Sequence, residues 1–293
     1  MFSLNQVGDV TYYIDNPSKI GVVKLSDGSV LLIDTGSDKD TGRKIRQLMD
    51  SLGLKVSIIL NTHSNADHIG GNKYLQNNTG CKIYGSGIEN DFTNHPLLEP
   101  SFLYGGYPPK DLLHKFLLAD ASISEEINQI NLPKEISIID LPGHYFNMIG
   151  FRTSDDIVFL ADALSSEETL EKYQIGFIYD VEKYLKTLEM IKTLKAKLFV
   201  PSHASVTDNI VPIAQKNIDK VYEISNKILK ICHENIIFEN ILEKLFIDYK
   251  LTMDFPQYVL VGSTIRSYLA WLKDNGKLEV NFINGFMYWK TIF

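Results

Sequence analysis

The chain of 293 residues has only two cysteines, Cys81 and Cys232, which lie far apart. That excludes a disulfide framework, and small buried hydrophobes are the expected role of both. Positive charge is also short: Lys and Arg total 29 against 36 Asp and Glu, for a net −7. A nucleic acid or an anionic membrane requires a basic face, so neither is the expected main partner. No apolar run approaches the roughly 20 residues that span a bilayer. The start, "MFSLNQVGDVTYYIDNPSK", lacks the basic region, apolar run and cleavage site of a signal peptide. The cytoplasm is therefore the expected compartment. What is present, 44% hydrophobic and 22% charged residues, suits one large globular domain or a domain with an appendage.

The first 60 residues alternate strand signals with turns: "VTYYI", "IGVVKL", a "DGS" turn and "VLLIDTG". Ile45, Leu48, Met49 and Leu52 then fall at helical spacing, and the β-branched run "VSIILNTH" follows as a strand. A short helix ending at Gly80 and the strand "CKIYGS" make a further cycle. Residues 87–134 mix aromatics, prolines and glycines without a period, so they form an insertion that serves as a lid, a binding loop or a packed surface excursion. Strands return as "ISIIDL", "MIGFRT", "IVFLAD" and "KLFVPSH", with a helix over about 181–195. From residue 207 the pattern is helical and closes with two short strands around "INGF", the outline of a winged helix. The expected domains are 1–206, including the insertion, and 207–293.

Between strand and helix stands "NTHSNADHIGG", which carries His63, Asn65, Asp67 and His68 within six residues. Imidazole nitrogens and carboxylate oxygens are the donors that hold zinc and similar ions. Three later strands end near His144, Asp162 and His203. Strand ends are where α/β proteins gather ligands, so these residues can converge on one sheet edge.

The order of these motifs resembles the metallo-β-lactamase superfamily, whose pattern is His-x-His-x-Asp-His followed by a His, an Asp and a His at later strand ends. The resemblance runs through "LLIDTG", with Asp34 at the family's structural aspartate, then "SNADHIGG", "LPGH", "FLAD" and "PSH". It implies an α+β chain with an αβ/βα sandwich, two packed sheets flanked by helices. It also implies two metal sites: His63, position 65 and His144 for the first, and Asp67, His68 and His203 for the second, bridged by Asp162. The departure is Asn65, where the family has histidine. An amide oxygen is a weaker ligand than imidazole, so the second site is expected to fill first. The implied cofactor is Zn²⁺, one or two per chain, with Mn²⁺ or Fe²⁺ as alternatives.

The function implied is hydrolysis of a small ester, thioester or lactone, with Asp67 orienting a water or carrying its proton. Phe92, Phe102, Tyr104, Tyr107 and Phe116 of the insertion are the expected apolar walls. Two alternatives remain: a β-lactamase-like endoribonuclease, or a sensor that kept the fold without activity. The acids and bases of the C-terminal segment are balanced, which disfavours a reading helix. Packing on the catalytic domain or on a second copy, as a homodimer, is the favoured role for that segment. His95 and His114 lie in the insertion and match no ligand position. His233 reads as a cation late in a helix, and Tyr145 as a packing residue able to donate to an oxyanion.

Overall fold

The computed structural model describes residues 2–292. Seven strands form one mixed sheet in sequential order: β1 (Leu4–Gln6), β2 (Thr11–Ile14), β3 (Ile20–Lys24), β4 (Val30–Ile33), β5 (Val56–Leu60), β6 (Lys82–Gly85) and β7 (Ser124–Glu126). The first four pair antiparallel, and β4 through β7 run parallel. A second sheet has the order β11 (Leu198–His203), β10 (Ile157–Ser165), β9 (Ile149–Thr153), β8 (Ile136–Asp140).

The period-2 alternation of apolar residues explains why the sheets stack. In β4, Val30 and Leu32 point to one side and join a cluster with Ile45 and Met49 of helix α1 (Lys39–Ser51). Leu31 and Ile33 point the other way, into a cluster with Phe151, Ile157, Phe159 and Val200 of the second sheet. Successive strand side chains face opposite sides, so a strand apolar at every position must be covered twice. β10 repeats the device: Ile157 and Phe159 face the first sheet, while Val158 and Leu160 face outward to helices. Those helices are α7 (Val181–Thr193), α8 (Val211–Ile231), α9 (Phe238–Asp248) and α10 (Phe255–Asp274). The layers are thus helix, sheet, sheet, helix, the αβ/βα sandwich expected from the sequence.

The shorter helices are α2 (Ala66–Ile69), α3 (Asn72–Thr79) and α6 (Glu167–Tyr173). Within the insertion are α4 (Glu89–Asn94), α5 (Leu98–Tyr104) and a 3-10 turn at Lys110–Leu112, before the chain returns as β7. That return makes the insertion part of the first sheet. Its Leu103, Leu112 and Leu117 pack with Val259 of α10. The C-terminal hairpin, β12 (Leu278–Ile283) and β13 (Phe286–Thr291), pairs only with itself in a sheet, and Trp289 bridges to Ile236. Cys81 and Cys232 are buried, and burial pushes the Cys232 thiol up to about 12.

Four residues are placed differently from the sequence reading. His233 lies beyond the end of α8 rather than in it, its Nδ1 at 3.1 Å from the Lys230 carbonyl. Tyr107 and Phe116 are 79% and 65% exposed, and Tyr104 turns toward Phe255 of α10, so these three do not wall the candidate site. Their stretch follows α10 across the surface, where a few leucines supply the burial. Phe92 and Phe102 do pack beside the site, against Tyr145 and Phe146.

A candidate metal centre between the two sheets

The motif residues leave β5 and enter α2 directly. Asn65 occupies the position before the first turn of α2, where an asparagine oxygen ordinarily accepts a backbone N–H. Here it makes no such cap. Its side chain turns instead to two long-range partners, with Oδ1 at 3.2 Å from His144 Nε2 and Nδ2 donating to Glu99 Oε1 at 2.7 Å.

Asp162 and His203 sit within their strands rather than past them, which corrects the sequence reading of Asp162 as a strand end. The physical device is a bulge. Ala161 has φ of +49°, and the register of β10 against β11 shifts on either side of it. A bulge of this kind re-aims the next side chain, here Asp162, toward the motif loop. His144 is placed by the turn at Gly143, whose φ of +125° and close approach to the Tyr184 backbone leave no room for a Cβ.

The donors then converge in two clusters that share Asp162: Asp67, His68, Asp162 and His203, and His63, His144 and Asp162. Among the described residues these are the groups able to hold a metal ion. The sequence motifs point to every member, while His95, His114 and His233 stand in neither cluster.

Hydrogen bonds fix which nitrogens carry lone pairs. Asp34, itself at φ of +63°, accepts from Thr62 N at 2.8 Å, from Thr62 Oγ1 at 2.7 Å and from His68 Nδ1 at 2.8 Å. Because Thr62 Oγ1 donates its proton to Asp34, it accepts from His63 Nδ1 at 3.0 Å. One carboxylate therefore sets both rings with Nε2 turned inward. The Phe177 carbonyl, 3.0 Å from His144 Nδ1, does the same for the third ring, since a carbonyl only accepts. Such partners to the far ring nitrogen orient metal-binding histidines. His63 Nε2 is buried with no hydrogen-bond partner, and His68 Nε2 and Asp162 Oδ1 are buried with only each other, 3.1 Å apart. An orphaned polar atom such as His63 Nε2 costs about 1–3 kcal/mol, and a divalent cation among these three atoms removes that cost. The donor set thus fits a divalent metal.

The electrostatics agree. Burial holds His63 and His144 below the ordinary histidine range, which keeps both rings neutral. Burial opposes charge on Asp162 and Asp67 as well, but His203 and His68 beside Asp162, and His68 beside Asp67, hold both carboxyls below their usual range. Asp162 raises His203 to about 10 against its burial. Burial likewise opposes charge on His68, yet Asp162, Asp67 and Asp34 hold it well above the ordinary range. The carboxylates at this end therefore attract positive charge strongly, and without a metal a proton fills that role.

Residues 14–203 match the Metallo-beta-lactamase superfamily. The chain belongs to that superfamily. It is 24% identical over 263 residues to a beta-lactamase-like protein 2 homolog of Drosophila melanogaster, covering 86% of this chain and 80% of that one. It is 26% identical over 155 residues to a hydroxyacylglutathione hydrolase of Methylococcus capsulatus, covering 52% of this chain and 50% of that one. It thus spans half the length of the Methylococcus relative. A beta-lactamase domain protein from Burkholderia ambifaria shares the fold at a TM-score of 0.75 and 14% identity, over 99% of this chain and 94% of that one. A metallo-beta-lactamase family protein from Thermus thermophilus gives 0.71 and 14%, over 99% and 97%.

Two acids were missed by sequence reasoning. Glu89 and Glu99 of the superfamily member's insertion are only 1% and 5% exposed. Glu89 accepts from Ser64 N at 3.1 Å, Ser64 Oγ at 2.6 Å and Asn147 N at 2.8 Å, so it ties the His63 loop to the His144 loop. Burial pushes Glu89 up to about 7 and raises Glu99 well above the carboxylate range. The one available signal was for Glu99, which falls among apolar residues in "PLLEPSF", whereas Glu89 is followed by Asn90 and Asp91. Tyr145 is fully buried, with its hydroxyl unpartnered and its ring against His63, Phe92 and Phe177. It packs, as expected.

Proposed function

We propose that the chain is a metal-dependent hydrolase of a small carbonyl substrate: a thioester, ester or lactone. The observation that carries this reading is the convergence of six buried or half-buried donors, His63, His68, His144, His203, Asp67 and Asp162, in two clusters that share Asp162. In this proposal His63, Asn65 and His144 hold one metal, Asp67, His68 and His203 hold the other, and Asp162 serves both. Zn²⁺ is the proposed ion, with the Asp67, His68 and His203 centre filled first. A divalent cation so held polarises a carbonyl oxygen and lowers the pKa of water from about 15.7 toward 7.

The chain's own groups then have distinct tasks. Asp67 is kept ionised by His68 and receives the Ser18 hydroxyl on Oδ2 at 2.5 Å, so its other oxygen is free to orient a water. His63 and His68 are fully buried, while Asp67 and His203 are 34% and 28% exposed at the side chain, so substrate enters from the Asp67 and His203 side. Phe177 stands edge-on to His144, with 5.6 Å between ring centroids.

Relatives named hydroxyacylglutathione hydrolase support the thioester class, since acyl-glutathione bonds are thioesters. We assign residues 207–293 to support of the insertion, because α10 packs on α5 and on the 3-10 turn at Lys110–Leu112. No helix among the described residues is long and apolar enough to cross a membrane. The proposed compartment is the cytoplasm. The test is a panel of acyl-glutathione, ester, lactone and RNA substrates, run on metal-loaded protein with and without chelator. Chelator-sensitive hydrolysis of a carbonyl substrate is expected. Metal-dependent RNA cleavage with no carbonyl hydrolysis would favour the nuclease reading, and no reaction with any substrate would overturn both.

A further inference from the structure

Asn65 has the shape of a defect in the first centre, because an amide replaces an imidazole and can present either an oxygen or an NH₂ group. Only the oxygen can bind a cation; the NH₂ group would repel one. The structure holds the amide one way round. Nδ2 donates to Glu99 Oε1 at 2.7 Å, and Oδ1 lies 3.2 Å from His144 Nε2. With His144 Nδ1 turned to the Phe177 carbonyl, Nε2 faces Asn65 Oδ1 across 3.2 Å. A cation placed between the two atoms would take both as ligands. His63 Nε2, buried and unpartnered, opens into the same space.

Glu99 is built for this one contact. It is buried, it comes from α5 of the insertion, and its side-chain hydrogen bond is to Asn65. Glu89 on the preceding helix, α4, pins Ser64 beside it, so the motif loop and the insertion move as a unit. A buried acid at position 99 serves no apolar core, and its burial would be costly without a polar partner.

We propose that Glu99 is the positioning residue of the first centre: it takes the amide hydrogens of Asn65 and so presents Asn65 Oδ1, in place of the missing imidazole, to a divalent cation shared with His63 and His144. This rests on the metal-centre reading above. The chain is then a two-metal protein whose first centre depends on the insertion.

The test is titration of the chelator-stripped full chain with Co²⁺ and Zn²⁺, read by bound metal per chain and by the Co²⁺ absorption of each equivalent. Wild type is expected to bind two equivalents. Glu99→Met, similar in volume, should leave the tighter equivalent unchanged and weaken the other by about 10–100-fold, the usual effect of losing a residue that orients a ligand. Glu99→Gln, which keeps an acceptor oxygen, should stay near wild type. Asn65→His added to Glu99→Met should restore the second equivalent, because an imidazole needs no help in choosing its donor atom. Asn65→Ala, with Glu99 intact, should lose the second equivalent and so tests the same claim if Glu99→Met does not fold. Retention of both equivalents by Glu99→Met or by Asn65→Ala, or a wild type that binds only one, would overturn the inference while leaving the hydrolase reading standing. No bound metal in wild type would overturn both.

Discussion

Replacing Asp34 by Asn tests how the sandwich fixes its histidines. The carboxylate receives three hydrogen bonds: Thr62 N on Oδ1, and Thr62 Oγ1 and His68 Nδ1 on Oδ2. The backbone is no obstacle to the substitution, since Asn tolerates the left-handed φ of +63° as well as Asp does. The amide has one acceptor oxygen, so its better orientation serves Thr62 Oγ1 and His68 Nδ1 and turns NH₂ against Thr62 N–H. An unpaired buried N–H costs about 1–3 kcal/mol, and the two surviving bonds each lose about 1 kcal/mol of charge assistance. The expected destabilisation is about 3–5 kcal/mol in urea unfolding of the metal-free protein. Metal affinity should fall about 10–100-fold as the bonds that orient His63 and His68 weaken. Asp34→Asn within about 0.5 kcal/mol of wild type, the range of an ordinary surface change, with metal affinity unchanged, would refute the reasoning.

Two further outcomes follow from the same geometry. Gly143→Ala should give insoluble protein or a loss of about 3 kcal/mol or more, because φ of +125° and the Tyr184 backbone both exclude a Cβ, with proteolytic sensitivity as the check. For Glu89, burial raises the folded pKa from 4.5 to about 7, so its contribution to stability is fully present below 4.5 and is lost as pH rises through 7. Wild type should therefore lose up to about 3 kcal/mol relative to Glu89→Gln between those pH values, at about 1.4 kcal/mol per pH unit. A difference between the two proteins that does not change with pH would contradict this.

The strands and most helices were legible because their apolar residues repeat at intervals of about 2 or 3.6 positions, and β4 or α1 needs no other information. Every residue of the two clusters was legible too, through the spacing of "HSNADH" and the polar residues near three later strand termini. Asp162 was misplaced because a bulge depends on pairing between β10 and β11, which no local pattern records. Tyr104, Tyr107 and Phe116 were assigned to the site on chemistry alone, and the fold sends them to the surface or to α10. Glu89 and Glu99 were passed over for the opposite reason. An acid in sequence reads as solvated, and the partners that justify burying these two lie 25 residues away at Ser64 and 34 away at Asn65.

The most direct measurement is metal content per chain, with acyl-glutathione hydrolysis recorded on the same samples, for wild type and His203→Ala. The expected result is at least one tightly held metal and chelator-sensitive hydrolysis in wild type, with the tightly held equivalent and the hydrolysis lost in His203→Ala. Wild type that retains no metal after Zn²⁺ loading and desalting, or His203→Ala that keeps metal and activity at wild-type levels, would contradict it.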